Sequence, residues 1–107
     1  SNVRKSKMRQ PADLLEKCAE ILTQRGITYG DFRPVGRTMA TLMGSQLGKE
    51  IDACDAMLLV AQLKMARIAT GDRQEDSFLD AINYIALAWA SAKTAQDRFK
   101  MPDGLSS

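Results

Sequence analysis

A chain of 107 residues, 45% hydrophobic and 26% charged, has the size and composition of one soluble globular domain with a modest core. No apolar run approaches the roughly 18 residues of a membrane span, and nothing resembles a signal peptide. The absence of any histidine excludes histidine-based catalysis and most transition-metal chemistry. The formal charge of +2 conceals an asymmetry: Arg4, Lys5, Lys7 and Arg9 stand without an acid in residues 1–10, which leaves the remainder at −2. Such an arm is expected to be a flexible, solvated tail making at most weak contact with nucleic acid.

From Pro11 the pattern turns helical. Leu14, Leu15, Cys18, Ile21 and Leu22 recur with helical period, Asp13 and Glu16 sit in the first turns, and Gly26 is the expected stop. Ile27 to Pro34 is the most irregular stretch, a tight connection anchored by Tyr29 and Phe32. The same residues allow a second reading in which Tyr29, Asp31 and Arg33 line a pocket. A weaker helix is expected over about Gly36 to Leu47, with Met39, Leu42, Met43 and Leu47 on its apolar face and three glycines lowering its propensity.

The third helix, about Glu50 to Thr70, is mostly apolar, with acids at its start (Glu50, Asp52, Asp55) and bases later (Lys64, Arg67). After Gly71, a fourth begins near Gln74 or Glu75 and continues past Trp89 toward Phe99, its alanines allowing close helix–helix approach. No repeat and no strand-like alternation appears. The expectation is an all-α fold, a roughly four-helix antiparallel bundle over residues 11–100 with a flexible tail at 101–107, completed by homo-oligomerisation because the core is small. Cys18 and Cys54, far apart and each inside a helical pattern, read as small core residues in a reducing compartment.

Charges on the two most apolar helices are the functional clue, because buried charges are normally paired or ligated. Asp52 and Asp55 are neighbours on one helical face, as are Asp76 and Asp80. In an antiparallel hairpin, Lys64 and Arg67 lie roughly 10 and 6 Å before the turn, level with Asp76 and Asp80 on the return helix. Asp55 and Asp80 would be separated by on the order of 10 Å along the axis. Two readings follow. In one, salt bridges fix the register of the hairpin. In the other, Lys64 and Arg67 grip phosphate beside carboxylates that hold Mg²⁺, a hard cation bridging to phosphate oxygens.

Three motifs in order, RGITYGDF (25–32), LKMARI (63–68) and EDSFLDAINYIALA (75–88), resemble a group of small phage and prophage domains. The layout is more distantly similar to the all-α MazG-like nucleoside triphosphate pyrophosphohydrolases. That resemblance implies a MazG-like helical bundle that dimerises or forms tetramers, in the cytoplasm (of the host cell if phage-encoded). It implies a nucleotide bound with Mg²⁺, with hydrolysis of a nucleoside triphosphate to monophosphate and pyrophosphate as the candidate reaction. On these positions Asp55, Asp76 and Asp80 would hold the metal, and Lys64, Arg67, Tyr29, Asp31, Asn83 and Tyr84 would contact phosphate or nucleotide. Asp52 and Asp55 stand where those enzymes carry an E-x-x-E pair, and Asp76 and Asp80 where they carry E-x-x-D. The alternative is a non-catalytic phage accessory protein acting through helical oligomerisation or binding to a host protein.

Overall fold

The computed structural model describes residues 9–29 and 32–92, with the backbone alone at 25–29. Four helices account for most of them: α1 (Pro11–Tyr29), α2 (Arg33–Leu47), α3 (Ala53–Ala69) and α4 (Glu75–Ser91). The fold is an all-α bundle, and among the described residues there is no strand. The basic arm at 1–8, Asp31, the side chain of Tyr29 and the expected extension of α4 beyond residue 92 lie outside the described residues.

Each helix boundary has a local cause. The first helix does not stop at Gly26 but continues to Tyr29. A helical glycine costs only about 1 kcal/mol against alanine, which is too little to end a helix by itself. The second helix starts earlier than the apolar pattern suggests, at Arg33, because Pro34 falls in the first turn, where its missing N–H leaves no bond unmade. It ends at Gly48, whose φ of 70° is left-handed and lets its N–H donate to the Gly44 carbonyl. The third helix begins on Asp52, an N-cap in a reciprocal pair: Asp55 N–H donates to Asp52 Oδ1 at 2.9 Å, and Asp52 N–H donates to Asp55 Oδ2 at 3.1 Å.

Beyond α3, the turn at 70–74 returns the chain antiparallel, so that Lys64 meets Asp80. Alanines make this pairing close: Ala56 and Ala61 on α3 and Ala81 and Ala88 on α4 are buried, around Met57 and Leu79. The α2 helix packs on α3 through a stripe of small residues, Gly36, Ala40 and Gly44. A Cβ on Gly36 would sit 3.3 Å from Ala53 Cβ and from Met57 Cε, so the glycine sets the distance between the helices. Further along, residues 42–47 share a groove with 59–63, so contacts advance in the same sense along α2 and α3. The connection allows this by doubling back from Gly48 to bring Ile51 beside Gly44. The first helix crosses α4, with the buried Cys18 thiol 4.0 Å from the Leu79 carbonyl and Lys17 bonded to Glu75 at 2.6 Å.

No large side chain among the described residues is completely buried. The core is built mainly from alanine, Met57 and Leu79, while Leu15, Val35, Leu42, Leu47, Leu63 and Trp89 are largely exposed. None of the described helices is long and apolar enough to cross a membrane.

Candidate functional site

The charges of α3 and α4 form a ladder at the hairpin. Lys64 Nζ lies 3.2 Å from Asp80 Oδ2, with both side chains partly exposed. Arg67 reaches instead to Asp72 in the turn, at 3.4 Å, with its guanidinium mostly in solvent. Asp72 is the organiser of that turn. Its Oδ1 accepts from Gln74 N–H at 3.3 Å, and its Oδ2 accepts from the buried Ser77 hydroxyl at 2.8 Å. These bonds, the Ser77 hydroxyl first, hold the Asp72 carboxyl below the usual carboxylate range. Sequence reasoning missed both Asp72 and Ser77. The available signal was an aspartate directly after a turn glycine and two residues ahead of a helix N-cap, the setting of an Asx turn.

Half of the expected register thus holds. Lys64 and Asp80 are brought together, whereas Arg67 bonds to the turn and not to Asp76 or Asp80. Asp76 is exposed in the first turn of α4, where its charge complements the helix dipole, and it makes no ion pair among the described residues. The structure does not gather Asp55 with Asp76 and Asp80. Asp55 is occupied in the capping box at the far end of α3, and no three histidine, cysteine, aspartate or glutamate side chains among the described residues are grouped to hold a metal ion. The same box explains Asp52 and Asp55 without a ligand. Its D-x-x-D spacing ahead of an apolar run was legible as a helix start.

One polar group remains unexplained by the fold. Asn83 is only 5% exposed, and neither its Nδ2 nor its Oδ1 has a hydrogen-bond partner among the described residues. An amide left that way costs about 1–3 kcal/mol, and such groups are rare unless a water or a ligand meets them. Asn83 lies one helical turn beyond Asp80, which itself lies one turn beyond Asp76, so the three share a side of α4. Tyr84 follows Asp80 by four residues and is half-buried. Around the Lys64–Asp80 pair, then, stand an unpaired carboxylate, an unsatisfied amide and a phenol.

The thiols do not add to this site. Neither forms a disulfide among the described residues; Cys18 is buried, and its burial pushes its pKa upward, away from nucleophilic character.

No curated protein and no solved structure matches the chain. Residues 13–92, from α1 to the end of the described part of α4, match a domain of unknown function, DUF6378, and the chain belongs to that family.

Proposed function

We propose that this domain binds a nucleotide through its phosphates, together with Mg²⁺, on the α3–α4 hairpin. Lys64, Asp76, Asp80 and Asn83 form the centre, with Arg67 and Tyr84 beside them. The unsatisfied buried amide of Asn83 carries this reading, because it is a preformed donor and acceptor for which the described residues supply no partner. Asp76 and Asp80 suit Mg²⁺, which is commonly held by one or two carboxylates plus substrate phosphates and keeps the rest of its shell as water. When bound there, Mg²⁺ would neutralise phosphate charge and polarise a phosphoryl group.

Magnitudes favour the exchange that binding requires. A partly exposed lysine–aspartate pair is worth only about 0–1 kcal/mol, so Lys64 can leave Asp80 for a phosphate at little cost. Arg67, mostly solvated, has freedom to turn from Asp72 toward the same ligand. The similarity of the motifs to MazG-like enzymes points the same way. The reaction that fits it is hydrolysis of a nucleoside triphosphate to monophosphate and pyrophosphate.

Calorimetric titration with a nucleotide panel in the presence of Mg²⁺ tests the reading. Saturable binding is expected, weakened at least tenfold by Asp76→Asn with only a small fall in thermal midpoint, since Asp76 has no ion-pair partner among the described residues and loses only its interaction with the helix dipole. Absence of heat with every nucleotide, in a folded sample, would overturn it. The outcome would then favour a non-catalytic accessory protein working through contact surfaces, a role supported by the many exposed apolar side chains.

A further inference from the structure

The side of the α3–α4 hairpin away from the Lys64–Asp80 pair is mostly apolar, with no charge at its centre. On α4, Phe78, Ile82, Ile85 and Trp89 follow one another at intervals of four, three and four residues, the spacing of a helix–helix seam. On α3 the matching interval places Leu58, Gln62, Met65 and Ala69 along one line. None of these eight positions is ionic, and the acids that continue the two lines, Asp55 one turn before Leu58 and Glu75 one turn before Phe78, stand at their ends, while Lys64, Arg67, Asp76 and Asp80 lie elsewhere on the circumference. Glu75, at the edge of this face, is already tied to Lys17.

The face is left open by the fold. Trp89 is 81% exposed, Met65 53%, Ile85 47% and Leu58 39%. From ordinary side-chain areas these four alone present roughly 450 Å² to solvent, over half of the ~800 Å² per partner of a standard stable interface. Phe78 and Ile82, both half-buried, add to it. Depletion of charge across the centre of such a patch is the compositional mark of an interface core. An isologous contact also requires a surface that does not repel its own copy, and one uncharged at its centre meets that condition.

We propose that a second copy of this chain covers this face, two α3–α4 hairpins packing about a twofold axis into a four-helix bundle. The pairing supplies the large buried side chains that the single chain lacks. It leaves the Lys64–Asp80 side of both hairpins outside the contact, so it stands whether or not that side binds a nucleotide. The apolar groove between α2 and α3, of about 390 Å³ and lined by Leu42, Leu47, Leu59 and Leu63 among others, lies on a different side of α3 and serves as the control surface.

Trp89 is the only tryptophan, so its emission reports on this face alone. Sedimentation equilibrium is expected to give twice the 11.8 kDa chain mass, with Trp89 emission shifting to the blue as concentration rises through the dimer dissociation constant. Ile85→Lys is expected to raise that constant about 100-fold or more, because the change acts twice across a twofold contact. Leu42→Lys, in the groove, should leave it unchanged. A chain that stays monomeric up to on the order of 100 μM overturns the proposal. So does a dimer that survives Ile85→Lys in a folded protein. Should that variant fail to fold, the wild-type chain still decides: a dimer whose Trp89 emission stays that of an exposed indole at every concentration contradicts the proposed face.

Discussion

Asn83 and Asp72 show how differently two polar side chains on one hairpin can be used. Asp72 is satisfied twice over, by the Ser77 hydroxyl and the Gln74 N–H, and its carboxyl is held below its ordinary value. A group whose folded pKa is depressed contributes stability that is fully present above its unfolded value of about 3.9 and is lost as pH falls through the folded one. Urea midpoints followed downward from pH 5 should therefore fall for the wild-type chain, and Asp72→Asn should flatten part of that slope. Equal slopes in the two proteins would remove Asp72 from the account. Asn83 is the opposite case. Replacing a buried, unbonded amide with an apolar side chain of similar size should raise the stability of the free protein, by about 1–3 kcal/mol for Asn83→Leu. The same change should abolish nucleotide binding. A loss of stability in Asn83→Leu would mean that the amide has a role within the chain itself.

At the scale of the helices, what was legible in the sequence was what depends on periodicity and on end signals. Four helices, the Gly71 turn and the facing of Lys64 and Asp80 all follow from apolar spacing and a rise of about 1.5 Å per residue. What was not legible depends on contacts distant in sequence or on a choice between equivalent roles. Gly26, Gly36 and Gly44 look alike as weak helix positions, yet the helix passes through the first, while the other two are buried where α2 meets α3 and the returning chain. A Cβ on Gly44 would come within 2.7 Å of the Lys49 carbonyl oxygen, which is backbone and cannot turn aside. Gly44→Ala is accordingly expected to destabilise the fold by about 1–3 kcal/mol in chemical denaturation, despite alanine's better helix propensity. A neutral or stabilising result would show that the 48–52 connection yields easily. The acidic start of α3 was ambiguous for another reason, since a D-x-x-D pair serves a metal or a helix end equally well on paper. The reciprocal bonds of Asp52 and Asp55 assign it to the helix end. Asp52→Ala should then cost about 1 kcal/mol and leave Mg²⁺–nucleotide affinity unchanged.

Taken as one molecule, the chain divides its labour between two sides of a single hairpin. One side gathers Lys64, Asp76, Asp80 and Asn83, and the other is apolar at its centre and carries Trp89. The hairpin is thus one scaffold for both the polar cluster and the contact area. The most direct test of the central claim is the side-chain amide resonance of Asn83, identified by its absence in Asn83→Leu, during titration of the isotopically labelled protein with nucleotide and Mg²⁺. The account predicts a saturable shift of that resonance with Mg²⁺ and nucleotide together and little response to Mg²⁺ alone. An Asn83 amide that stays in place through millimolar nucleotide, in a protein whose backbone spectrum remains folded, would contradict it.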